Sequence, residues 1–405
     1  VDPGTGPGTS PGTGTATATV TDGGSASEGM TKGTTDAPTS GPEPTTATSE
    51  PGTTTSMTSG ETTAASTTGP VSGSSSTGVP GPVCGNGLVE MGEECDDGDA
   101  LDKNACSNAC TKVPCDQQDS GMDLEGVLSY IWISNSSQNT VSKINTKTAI
   151  EEGRYQVVGG SPSRTSVNLE GDVAVSSRDP GGVTKIAAKK ENCVDKNGDG
   201  MITTSNGPNN VLPLGQDECV LWTKTIPSAG YVYGPRATAW DSGVQDPDTC
   251  EYSAPRLWIG WMDQQSMAHF ERIDGATGNT LDKVDYPWTG ATHSPYGGAV
   301  DKAGNFYATG LNQAPTIKID AVTLQLTNLG NPNGCKYGMT LDSNGDIWAG
   351  ACFGEGVYHW DHNTNLWTTL PNSGGTRVNG IMADADGNVW GAGSSNCRLV
   401  HIDVQ

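Results

Sequence analysis

Three oxygen-bearing side chains at alternate positions carry the clearest chemistry in this 405-residue chain. Asp195, Asn197 and Asp199 are followed directly by Gly200, Met201 and Ile202. Hard oxygens at loop positions 1, 3 and 5, glycine at 6 and an aliphatic residue at 8 form a calcium-loop pattern. Gly200 permits the sharp turn, Met201 would add its carbonyl, and Ile202 would pin the loop to the domain. Position 12 is Asn206 where a bidentate glutamate is usual, so Asp217 or Glu218 is expected to complete the coordination. No helical pattern flanks the loop, which points to a lone structural calcium site. Asp96, Asp97 and Asp99 form a second acidic group, read as a solvated turn.

The loop lies between Cys193 and Cys219, which are expected to staple the base of an insertion. All eleven cysteines lie at or after Cys84. Cys84, Cys95, Cys106 and Cys110 crowd into a segment too small and polar to build a core, so crosslinks must hold it. Zinc is the weaker reading, because no Cys-x-x-Cys pair and no nearby histidine is present. The same segment, with Cys-Gly-Asn-Gly, Gly-Glu-Glu-Cys-Asp-Asp-Gly and Cys-x-x-x-Cys, resembles the short cysteine-rich repeat of secreted and surface proteins from myxobacteria and their relatives. That resemblance implies an extracellular module and no catalysis. Cys335 and Cys352 fall opposite each other on one expected hairpin and are read as a pair. Cys115, Cys250 and Cys397 are left, and a Cys115–Cys397 bridge would tie the ends of the domain together. An odd count leaves at least one thiol free or paired outside the chain.

These residues are positioned by a repeat. Gly298 to Gly310, Gly338 to Gly350 and Gly380 to Gly393 each run from a strand through Asp301, Asp342 or Asp384 into a Gly-Asn or Gly-Asp turn, then into a strand bearing Tyr307, Trp348 or Trp390. The spacing of about 40 residues is that of a β-propeller blade. A third-strand signature ending in Asp320, Asp361 and Asp403 extends backwards to Asn145, Ala187 and Asp274. The count is about six units between about residue 122 and residue 405. The expected fold is therefore all-β, a propeller of about six blades. The last unit stops after its third strand, so residues around Asp116 to Val127 are expected to supply a closing strand.

The Gly-x-x-x-Asp-x-x-Gly-Asn-x-Trp pattern resembles streptogramin-lyase-like and NHL-type propeller repeats, through residues that build blades. The resemblance leaves two functional readings, because a fold does not decide a function. The first is a binding module that meets a surface glycan, peptide or protein at one end of the ring. Trp222, Trp240, Trp261, Trp288 and Trp367 are candidate exposed aromatics, although packing between blades is the commoner fate. The alternative is a metal-dependent lyase or hydrolase, since the resembled lyases use a histidine base and a magnesium ion near the central channel. Of five histidines, His269, His359 and His401 sit on or near third strands and suit packing. His293 precedes a first strand and is the catalytic candidate, with Glu355 as a possible channel partner.

Composition sets the domain limits. Residues 1–82 contain no Cys, Trp, Tyr or Phe and are mostly Thr, Ser, Gly and Pro. Such a segment cannot offset its ordering entropy, and is read as a disordered stalk with a reach of roughly 50 Å. The cysteine-rich module then covers 83–115, and the propeller 116–405, with the calcium-loop insertion at about 188–222. A net charge of −24 excludes nucleic acid and anionic membrane surfaces as partners. No apolar run of about 18 residues exists to span a membrane. Val1 in place of Met indicates a removed targeting segment or a fragment. The location expected is extracellular or cell-surface, with a lipid or surface tether possible through the N-terminus.

Overall fold

Each repeated aspartate folds its own turn and then holds an aromatic ring. In a computed structural model of the chain, Asp301 Oδ1 accepts the backbone N–H groups of Ala303 and Asn305 at 3.0 and 2.9 Å. Asp342 does the same for Asn344 and Asp346, and Asp384 for Asn388. Side-chain acceptance two to four residues on is what makes Asp a turn former. The second oxygen takes the ring of the next strand: Tyr307 Oη at 3.2 Å, Trp348 Nε1 at 2.9 Å and Trp390 Nε1 at 2.7 Å. Gly304, Gly345 and Gly387 close these turns at φ of 81°, 92° and 87°, where a side chain would be strained.

The described residues are 83–98, 106–115, 117, 129–247, 249–353, 356–370, 377–384, 387–393 and 399–403. The expected stalk, Asp99, Glu355 and Cys397 lie outside them. So does the expected closing strand, apart from Gln117.

Six antiparallel blades make an all-β propeller. The first contains β1 (Tyr130–Asn135), β2 (Thr140–Asn145) and β3 (Glu151–Gln156). The second contains β4 (Pro162–Val167), β5 (Val173–Arg178), β6 (Gly181–Ile186) and β7 (Val220–Thr225). The third begins with β8 (Ala237–Trp240), then sends out a hairpin of β9 (Val244–Gln245) and β10 (Tyr252–Ser253). It continues with β11 (Arg256–Met262), β12 (Met267–Asp274) and β13 (Thr280–Pro287). The fourth is β14 (Gly297–Val300), β15 (Phe306–Thr309), β16 (Ile317–Ile319) and β17 (Leu326–Asn328). The fifth is β18 (Lys336–Leu341), β19 (Ile347–Ala351), β20 (Val357–Asp361) and β21 (Leu366–Leu370). The sixth is β22 (Val378–Ala383), β23 (Val389–Gly393) and β24 (Leu399–Ile402). The only helical element among the described residues is the short 3₁₀ turn Lys190–Asn192.

The core lies between neighbouring blades. Ala174 and Val183 of the second meet Leu257 and Ile259 of the third. Trp258 and Phe270 of the third meet Phe306 and Ile317 of the fourth. Middle strands are covered on both faces, so β15 and β19 are wholly buried and apolar or small throughout. Inner strands approach so closely that a Cβ on Gly298 would lie 2.9 Å from Thr238 N, and one on Gly338 2.6 Å from Asn379 O. Trp222, Trp240, Trp261 and Trp288 are buried in these seams, and half-buried Trp367 donates Nε1 to Leu329 O at 2.9 Å.

The ten described cysteines form five disulfides. Cys84–Cys110 and Cys95–Cys106 hold the small module, where Asp96 also gathers the backbone N–H groups of Gly85, Asn86, Gly87 and Gly98. Cys193–Cys219 and Cys335–Cys352 lie within single blades or their insertions. Cys115 pairs with Cys250, which corrects the expected Cys115–Cys397 bridge. The reason is the β9–β10 hairpin, whose turn carries Cys250 at a φ of 59° and presents it to Cys115 at the end of the module.

Candidate functional site at the axial mouth

The five described inner strands β4, β8, β14, β18 and β22 lie side by side and run in one direction around the axis. Residues at their starts therefore gather at one end of the channel. A void of about 150 Å³ opens there, lined among others by Arg164, Thr165, Arg236, Tyr296, Gly338 and Asn379.

Arg236 is 1% exposed. Its Nη1 donates to Gly234 O at 3.1 Å and Ser294 Oγ at 2.9 Å, and its Nη2 to Tyr231 O at 2.7 Å. Arg164 lies over the rings of Tyr296 and Tyr337, at 4.8 and 5.3 Å from their centroids. The two tyrosines touch through their hydroxyls at 3.3 Å. Tyr296 is shared, because Arg236 also lies 5.2 Å from its centroid. Arg178 completes the group, 4.5 Å from the Tyr231 centroid and donating to its hydroxyl.

These cations compensate one another poorly. Burial pulls the Arg164 and Arg236 guanidiniums below their ordinary pKa; neighbouring Arg178 opposes both charges and the tyrosines favour them. No carboxylate is among the charges that act most strongly on either. The Nε and Nη2 of Arg164 and the Nε of Arg236 are out of solvent reach and have no hydrogen-bond partner. An unpartnered buried donor is costly, and more so when charged.

His293 stands at the edge of this group. Its Nδ1 is 2.9 Å from Thr292 Oγ1, and its ring meets Tyr296 edge-on at 6.0 Å. Burial first, and the Arg236 charge second, hold its pKa below the usual histidine value, so the neutral imidazole is favoured. Among the described residues no aspartate, glutamate or second histidine joins it in a metal-sized cluster. The other slot histidines stack on tryptophans: His269 on Trp261, His359 on Trp348 and His401 on Trp390, at 4.2, 4.2 and 4.3 Å.

The sequence reading of the channel missed Arg164, Arg236, Tyr296 and Tyr337. A signal was present: Tyr296, Tyr337 and Asn379 are 41 and 42 residues apart, the spacing of the repeated aspartates. They share one slot at the head of the inner strand, and Arg236 stands at the same slot before β8.

The insertion holds the second candidate. Asp195 Oδ1 and Oδ2 accept the N–H groups of Gly198 and Gly200 at 2.6 and 2.9 Å, and those bonds hold its carboxyl below the usual range. Asn197 accepts from Asp199, and Asp199 from Met201, each at 2.8 Å. Ile202 packs on the core of the first two blades. Asp217, one of the two carboxylates expected to complete the loop, is bonded elsewhere. Its oxygens take Thr204 Oγ1, Ser205 N, Ser205 Oγ and Cys219 N, which fills the four lone-pair positions of a carboxylate. Glu218 closes on the loop instead, accepting from Lys196 N at 2.9 Å, Asn197 N at 3.3 Å and Thr203 N at 2.7 Å. The Thr203 bond is the main cause of its lowered pKa.

No protein-family model matches the chain, and no curated protein matches it. Solved structures do. A streptogramin B lyase aligns with a TM-score of 0.48 and 16% identity over 69% of this chain and 76% of its own. A virginiamycin B lyase from Staphylococcus aureus gives 0.45 and 15% over 67% and 75%. A chain of a mitotic checkpoint complex gives 0.46 and 10% over 67% and 70%.

Proposed function

We propose that the chain is an extracellular binding module whose six-bladed head engages its ligand at the axial mouth. The observation that carries this reading is a void lined by Arg164, Arg236 and Tyr296, with Tyr337 beside them under the Arg164 guanidinium. Aromatic rings beside arginines are the side chains that dominate recognition surfaces. An enzyme of the lyase or hydrolase class needs a base with an orienting partner, and His293 is hydrogen-bonded only to its neighbour Thr292 among the described residues. Five disulfides suit an oxidising compartment, and no described helix is long and apolar enough to cross a membrane. The Thr/Ser-rich N-terminal stretch would display the head, and a calcium ion held by Asp195, Asn197, Asp199 and the Met201 carbonyl would brace the insertion. Of the two carboxylates expected to complete the coordination, Asp217 and Glu218, Glu218 would take that place.

The full chain, probed on immobilised glycans and peptides, is expected to retain one ligand class. Tyr296→Ala and Tyr337→Ala should each release it, while His293→Ala should not. Retention that survives both tyrosine changes would move the site elsewhere on the head.

A further inference from the structure

The fifth blade departs from the repeat at two slots. The residue four places after the repeated aspartate is Asn305 in the fourth blade and Asn388 in the sixth. Asn305 has two bonds there: Oδ1 accepts Ala321 N–H at 2.9 Å, and Nδ2 donates to Asp301 Oδ2 at 2.9 Å. Asn388 Nδ2 likewise reaches the Asp384 carboxylate, at 3.2 and 3.3 Å. In the fifth blade this residue is Asp346. It keeps the accepting bond, taking His362 N–H at 2.9 Å. As a carboxylate it has no proton to give back to Asp342. The second departure is His362 itself, which stands where the fourth blade has Ala321, directly after the third-strand aspartate.

The two changes meet in space. His362 Nδ1 lies 2.6 Å from Asp346 Oδ1. One ligand atom each of Asp346, Asp361 and His362 lie within 4.8 Å of one another, so a single ion can touch all three. His359 Nε2 holds the other oxygen of Asp346 at 2.7 Å, and its ring stacks on Trp348. The sixth blade shares that contact, with His401 on Asn388 at 3.0 Å, but its partner there is a neutral amide. The charge is left over. Backbone N–H groups of Asn363 and Thr364 hold the Asp361 carboxyl below its usual range, against the opposing charge of Asp346. Among the described residues no lysine or arginine pairs with either aspartate, and only the two histidines reach Asp346. A neutral imidazole satisfies a carboxylate's hydrogen bond and leaves its charge in place. A divalent cation counters both carboxylates and takes the imidazole as a ligand.

We propose that Asp346, Asp361 and His362 form a site for zinc or a related divalent transition metal, with His359 as a positioning residue behind Asp346. The turn that carries Asp346 follows the end of β18, whose start faces the mouth, so this site is at the opposite end of the ring. An imidazole nitrogen among oxygens favours zinc and its neighbours over calcium and magnesium. Zinc accepts this donor set and is commonly four-coordinate, which leaves one position for water or an incoming ligand. His362 is 40% exposed, so that position is open to solvent. His362 binds through an unprotonated Nδ1, with its proton on Nε2. His359 steadies the carboxylate from the far side, as partners of metal-bound carboxylates do. The site is independent of the ligand at the mouth and of the calcium loop.

The test uses the full chain, free of any affinity tag and stripped with chelator. Zinc and cobalt(II) are titrated by calorimetry and thermal melting, with calcium and magnesium as comparison ions. About one equivalent of zinc is expected to bind and to raise the melting temperature, as anything that binds only the folded state must. Cobalt should give a visible absorption band and change the fluorescence of Trp348, which lies against His359. Asp346→Asn with His362→Ala writes the fourth blade's own residues into both slots. That variant should melt in chelator as the parent does and lose the zinc and cobalt responses. His362→Ala alone removes a half-exposed ring and should lose them too. His359→Gln should weaken zinc binding about tenfold or more. Asp195→Ala with Asp199→Ala should leave zinc binding unchanged. Absence of zinc binding, a zinc response that survives His362→Ala, an equal response to calcium or magnesium, or loss of zinc binding in the Asp195 and Asp199 variant would overturn the site.

Discussion

Lys336 opens β18 with its side chain fully buried, and Nζ donates to Ala314 O at 3.0 Å. Burial alone lowers its pKa from 10.5 to about 7. The unfolded chain therefore binds more protons than the folded one between about pH 7 and pH 10.5, and stability must rise with pH across that window. Below it the full cost of burying the cation is felt, on the order of a few kcal/mol. Ala314 O keeps a second donor, Asn331 Nδ2 at 3.0 Å, so removing the amine orphans nothing. Lys336→Met is expected to raise the melting temperature at pH 6 to 7 and to lose that advantage as pH approaches 10.5. A gain that is flat with pH would show that packing, and not charge, sets the effect. Nothing in the sequence marks Lys336 as buried: it follows Cys335 in a polar stretch, and only the stacking of blades covers it. Asp301, Asp342 and Asp384 were legible because their partners are local, two to six residues away.

The element scale separates what local pattern can and cannot specify. The turn around Asp195 was legible because its oxygen-bearing side chains bond backbone N–H groups within that one turn. Its completion was not, because Asp217 and Glu218 are adjacent in a turn closed by Val220 N–H on Asp217 O, where sequence spacing does not say which way either side chain points. Sequence spacing offers the pair, and tertiary bonding chooses: Glu218 N–H donates to Thr203 O and its carboxylate bonds the loop backbone, while Asp217 bonds Thr204, Ser205 and Cys219. The mouth was illegible for a related reason. Its residues come from inner strands of different blades, so their meeting depends on the ring and not on any one unit. If the loop holds calcium, millimolar calcium should raise the melting temperature of the full chain by several degrees relative to chelator, by mass action on the folded state. Asp195→Ala with Asp199→Ala should abolish that shift, and Glu218→Gln should reduce it, while Asp217→Asn should lower stability with and without calcium alike. A calcium shift unchanged in the double variant would place the ion elsewhere.

On the scale of the whole molecule, a chain of net charge −24 carries a mouth built from arginines. An acidic ligand is repelled at long range and attracted only on arrival. Salt then acts in two opposite senses. The distant repulsion is screened, since the Debye length falls from about 30 Å at 0.01 M to about 8 Å at 0.15 M. Contacts inside the channel are screened much less, because Arg236 is buried. The association rate of an anionic ligand should therefore rise with salt over that range, while its dissociation rate changes little. This is the reverse of the usual behaviour of a basic site meeting an anion, where salt slows encounter. Stopped-flow association of a fluorescent uronic-acid oligosaccharide across that salt series measures it. An association rate that falls as salt is added would mean that the local field of the mouth, and not the charge of the whole chain, governs approach.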